Sequence, residues 1–150
     1  SGVLRKDFSL YKNRTQALIE TSQNLKFTFH RAFDWVKNPM ETSSLLEAMG
    51  VHTLLTSGQA SSAEEGIDLL TELNQQSTSM TIMPGGGIRP KNIHLFKEAA
   101  FKAVHLSASR FVQNLSASPK IPMNSPSFLR EDAIAFSDPE IIRKVVEAVK

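Results

Sequence analysis

The stretch LKFTFHRAF at residues 25–33 decides the reading, because it is an apolar, β-propensive run with ionisable residues crowded at its far end. Residues 39–49 follow with Leu45, Leu46 and Met49 at helical spacing, and Gly50 closes them as a helix stop. The next apolar run is VHTLLT at 51–56. After it, Ser62 and Glu65 form a capping box that opens a helix carrying Ile67, Leu69, Leu70 and Leu73. MTIM at 80–83 predicts a third strand, ended by Pro84 and three glycines. A helix is predicted over 90–100 with Pro90 in its first turn, and AVHL at 103–106 predicts a fourth strand. Four strands, most of them followed by a helical pattern, predict βαβ units and a parallel α/β sheet. Upstream, Leu10, Leu18 and Ile19 predict a helix over 9–22, so residues 1–4 are expected to end a further strand.

Downstream the rhythm breaks. Pro119, Pro122 and Pro126, with several serines, predict an irregular loop over 111–136. Ser137 and Glu140 make a second capping box, and Ile141, Ile142, Val145, Val146 and Val149 give a closing helix over 137–150 an apolar stripe. No linker composition interrupts the chain, so its 150 residues are expected to form a single domain.

The composition is 41% hydrophobic and 21% charged, which excludes a generally disordered chain, a collagen-like repeat and a coiled coil. No run of 18 apolar residues is present, so no transmembrane helix or membrane partner is expected. A net charge of +2 gives no case for nucleic acid. Cysteine is absent, which removes disulfides, thiolate metal sites and a cysteine nucleophile. A cytoplasmic protein is the expectation.

In parallel α/β folds, reactive groups collect at the carboxyl ends of strands. His30, Arg31 and Asp34 fall there and are the candidate acid, base and charge-bearing groups. Alternation sets Phe27 and Phe29 on one face and Thr28 and His30 on the other. The competing reading is a loop salt bridge between Arg31 and Asp34. Gly85, Gly86 and Gly87 lie between a strand and a predicted helix, where backbone amides and the helix dipole could hold an anion. A tight turn is the competing reading there. Ser57 at the second strand end, and Ser107 and Arg110 at the fourth, complete the anion-binding candidates. His105 shares its parity with Ser107, so it is expected to face the same space as His30. His52 begins a strand and His94 lies within a predicted helix, which makes both surface or packing residues. Met40, Met49, Met80, Met83 and Met123 are scattered, and spacing alone defines no metal site.

HRAFD at 30–34, LTSG at 55–58, PGGGI at 84–88 and His105-x-Ser107-Ala108, in this order and spacing, resemble the CutC family of copper homeostasis proteins. The resemblance implies a TIM-type (β/α)8 barrel, with these motifs at the ends of its fifth to eighth strands and Gly2-Val3-Leu4 at the end of the fourth. Such a barrel needs ~250 residues, so the resemblance covers the carboxyl-terminal half. It implies copper as the ion handled; the metal ligands stay unknown, His30 and His105 being weak candidates in this chain. The thiolate copper chemistry attributed to some members has no cysteine to act through here. Two further readings are an enzyme-like barrel site for a small anionic substrate, phosphorylated or carboxylated, and a non-catalytic truncated isoform. An open half-barrel is expected to self-associate.

Overall fold

The computed structural model describes residues 1–113, 115–117, 120, 121, 123 and 132–150. Three short parallel strands form the sheet: β1 (Thr28–Phe29), β2 (Thr53–Thr56) and β3 (Thr81–Pro84), in that spatial order. Phe29 pairs with Leu54 and Leu54 with Ile82, so these three side chains form a row across one face. All three are fully buried. The helices supply the matching apolar surface: Leu46 from α2 (Pro39–Ala48), Leu70 and Leu73 from α3 (Ile67–Gln76), and Phe96 from α4 (Ile93–Glu98). A further helix, α1 (Lys12–Thr21), precedes β1. On the opposite face Thr28, Thr53, Leu55, Thr81 and Met83 are each only partly buried. One face of the sheet is closed and the other is half open.

The two sheet edges are each extended by one residue. The Ser1 ammonium donates to the Thr28 carbonyl at 2.8 Å, and the His30 amide donates to the Ser1 carbonyl at 2.9 Å. Beyond β3, the His105 amide donates to the Pro84 carbonyl at 2.8 Å, in a single parallel bridge between Gly85 and His105. The strand predicted over 103–106 is thus reduced to that bridge.

The first predicted strand is also shorter than its apolar pattern. The chain leaves β1 at His30 and curls into a 3-10 turn over Arg31–Trp35, because the His30 ring accepts the Ala32 amide and Phe33 turns into the core. The helix predicted over 90–100 begins only at Ile93. Asn92, 3% exposed, accepts the Arg89 amide at 2.8 Å and holds residues 89–92 in a side-chain-closed turn. Ser62 does accept the Glu65 amide, at 3.3 Å, but α3 proper starts one turn later.

The chain divides into two compact units after Leu106, a boundary that composition did not mark. The second unit holds β4 (Ser109–Gln113) paired antiparallel with β5 (Ala133–Ser137), followed by α5 (Pro139–Val149). The irregular loop expected over 111–136 is therefore corrected at both ends, where Phe111 pairs with Ala135 and Val112 with Ile134. Alternating Phe111, Ile134 and Phe136 supply the strand propensity that the proline count hid. Pro119, Pro122 and Pro126, which prompted the loop reading, lie outside the described residues. The closing helix is capped by Asp138, which accepts the Glu140 amide at 2.9 Å with Pro139 at the first helical position. Ser137 instead ends β5 and donates to the Ser107 carbonyl at 3.0 Å.

Candidate functional site

Parallel strands bring their carboxyl ends to one rim. Here that rim carries His30 after β1, Ser57 after β2 and Gly85 after β3. Asp34 organises it. One carboxylate oxygen accepts the Thr56 hydroxyl, the Ser57 amide at 3.0 Å and the Gln59 amide at 3.4 Å. The other accepts the Ser57 hydroxyl at 3.0 Å and Arg31 Nε at 2.7 Å. With its side chain 8% exposed and both oxygens engaged, Asp34 orients its neighbours and has no lone pair left for substrate.

Arg31 is the group so oriented. Its Nη2 donates to the Ser57 hydroxyl at 2.8 Å, while 46% of the side chain stays exposed. Nη1 lies beside the glycine loop: a Cβ on Gly86 would come within 3.2 Å of it. Gly86 has φ +116°, a conformation that calls for glycine, while a Cβ there would displace the arginine tip only slightly. The Gly85 amide is used by the Thr56 carbonyl at 2.9 Å. Among the described residues the Gly86 and Gly87 amides have no acceptor. No helix dipole reinforces them, since α4 is six residues long and starts at Ile93. The expected contribution of a helix start is withdrawn.

His30 is exposed, and its Nδ1 accepts the Ala32 amide at 3.1 Å, which leaves Nε2 as the nitrogen open to a ligand. A Cβ on Gly2 would lie 2.8 Å from that Nδ1, so the amino-terminal segment seats the ring closely. An open cavity of about 530 Å³ is lined by His30, Arg31, Ala32, Asp34, Trp35 and Leu55. His105 is exposed beside Gly85, on the sheet face that also carries Leu55. Ser107 and Arg110 belong to the second unit. There Ser107 and Ser109 share a hydroxyl hydrogen bond at 3.0 Å, and Arg110 pairs with Asp138 at 3.3 Å.

Trp35 and its neighbour Phe8 were not singled out from the sequence. The available signal was a tryptophan one residue past the charged strand end, in a stretch whose phenylalanines, Phe27, Phe29 and Phe33, are core. Among the described residues no three of His, Asp or Glu gather as a metal-binding group, and no helix is long and apolar enough to cross a membrane.

The sequence pattern of the CutC family matches residues 1–110. A CutC family protein of Enterobacter sp. (strain 638) is 40% identical over 110 residues, which is 73% of this chain and 44% of that protein. One from Photorhabdus laumondii is 43% identical over 111 residues, covering 74% of this chain and 45% of its own length. One from Pectobacterium atrosepticum is 34% identical over 149 residues, 99% of this chain and 58% of its own. The chain thus spans about half the length of the curated relatives it matches. Its fold is similar to the crystal structure of a Streptococcus agalactiae protein named as a copper homeostasis protein CutC. The TM-score is 0.64 at 24% identity, over 69% of this chain and 52% of that one. The three-stranded parallel sheet, with a closed outer face and a half-open inner one, is accordingly part of a TIM-type barrel.

Proposed function

The chain belongs to the CutC family, and from that premise we propose that it acts in copper homeostasis, in the cytoplasm, through a strand-end site for a small phosphorylated or carboxylated ligand. The observation that carries this reading is the Arg31 guanidinium, fixed by Asp34 and Ser57 yet half exposed at the cavity. A fixed guanidinium meets an oxyanion without losing further side-chain freedom, and its fork suits two oxygens. Asp34 cancels much of its formal charge, so affinity must come from directed donors as well. The amides of Gly86, which lies beside Arg31, and of Gly87, both without an acceptor among the described residues, are the donors we assign to it. His30 Nε2 adds a group able to give or take a proton at a bound ligand.

A copper–thiolate centre does not fit the residues present. Cu(I) favours thiolate and thioether donors, the chain has no cysteine, and its described histidines and carboxylates are not clustered. A second reading keeps the copper ion as cargo on His30 and His105; it is favoured by both imidazoles being exposed at the same end of the sheet.

Thermal unfolding with inorganic phosphate, and separately with Cu(I), tests the choice. Phosphate at a hundredfold over its Kd is expected to stabilise the chain by about 2.7 kcal/mol. Arg31→Met should remove that shift and Arg31→Lys should restore part of it. Stabilisation by Cu(I) alone, lost in His30→Ala, would favour the cargo reading. An equal phosphate response in wild type and Arg31→Met would overturn the anion site.

A further inference from the structure

Trp35 ends the 3-10 turn and is 68% exposed, although tryptophan is among the more buried residues on average. It lines the same 530 Å³ cavity as His30 and Arg31. Its ring is not loose. Phe8 packs edge-on against it, with centroids 6.2 Å apart and planes at 85°. Phe8 is itself held at φ +65°, a left-handed conformation unfavourable for any side chain beyond glycine.

The loop that imposes this is well tied. The Phe8 amide donates to the Arg5 carbonyl at 3.0 Å, and the Asp7 carboxylate accepts the Ser9 amide at 3.1 Å and hydroxyl at 2.7 Å. Leu4 and Leu10 bridge across its base. A strained residue is thus fixed where it steadies an exposed indole beside a fixed guanidinium. The cavity also falls within the ~300–1,000 Å³ of small-molecule sites, ample for a ligand larger than a bare oxyanion.

We propose that the ligand of this site is a ring-bearing phosphate ester, whose ring lies on Trp35 while its phosphate reaches Arg31. The inference rests on the anion reading above and adds the organic part of the ligand. An aromatic face gains dispersion and quadrupole contacts from a planar ring and apolar contact from a sugar's C–H face.

Trp35 is the chain's single tryptophan, so its fluorescence reports this wall of the cavity alone. The 150-residue chain is titrated with methyl phosphate, phenyl phosphate and ribose 5-phosphate, following Trp35 emission and, in parallel, binding heat. The expected result is saturable binding of all three, with at least one ring-bearing ester roughly fivefold or more tighter than methyl phosphate. Which of the two gains identifies the ring as planar or sugar. By binding heat, Trp35→Leu is expected to bind all three esters alike. Equal affinities in wild type would overturn the ring contact while leaving the anion site standing. A ring preference that survives Trp35→Leu would overturn the stacking. No binding of any ester would overturn both readings.

Discussion

Asp34 divides its oxygens between Arg31 and the residues that end and follow β2, and in doing so fixes Arg31 at the strand-end rim. That division of labour separates the three ionisable residues of the motif. His30 and Arg31 stay exposed at the cavity, and Asp34 holds the frame. Identity, strand-end placement and the Arg31–Asp34 pair were readable in the sequence, but the other donors converging on Asp34 were not, because Thr56, Ser57 and Gln59 lie more than twenty positions away. Gly58 belongs to the same frame. Its φ is +71°, and a Cβ there would run into the Gly66 carbonyl, backbone against backbone. Gly58→Ala should therefore lower stability by about 1–3 kcal/mol and weaken phosphate binding with it. Denaturant unfolding of the variant checks this; an unchanged midpoint would mean that the loop relaxes at no cost.

At the scale of elements, Glu47 near the end of α2 fastens the turn that leads into β3. Partial burial pushes its carboxyl upward. The amides of Ser79, Met80 and Thr78, with the Ser79 hydroxyl, outweigh that and hold it at about 2, below its ordinary 4.5. A depressed carboxylate stabilises the folded state fully above the unfolded value and loses that contribution as pH falls through the folded one. Stability should thus decline on acidification between pH 4.5 and about 2, and Glu47→Gln should flatten that part of the profile. At neutral pH the variant should lose about 1–2 kcal/mol. A wild-type profile already flat in that window would contradict the assignment. The alternation of apolar runs located every βα unit of the first half. It overextended the first strand and the helix over 90–100 because pattern cannot see where a side chain such as His30 or Asn92 captures a backbone amide and turns the chain. The hairpin of β4 and β5 was missed for a different reason: its strands flank a proline- and serine-rich stretch, and composition was averaged across all of it.

For the whole molecule, HRAFD and PGGGI made the family legible. The inner face of the sheet is half open, and the chain spans about half the length of the matched relatives. Thr28, Thr53, Leu55, Thr81 and Met83 line that face, and burying its apolar atoms at ~25 cal/mol per Å² favours association. The isolated chain should sediment as a dimer or larger species at micromolar concentration. A monomer that unfolds cooperatively and binds no hydrophobic dye would contradict this. An anion site at the strand-end rim is open to direct observation by following backbone amide and Arg31 Nε resonances during titration with inorganic phosphate. Saturable shifts led by Gly86, Gly87 and Arg31 Nε are expected, lost from the glycines in Arg31→Met. Shifts that never saturate, or that persist unchanged in that variant, would contradict it.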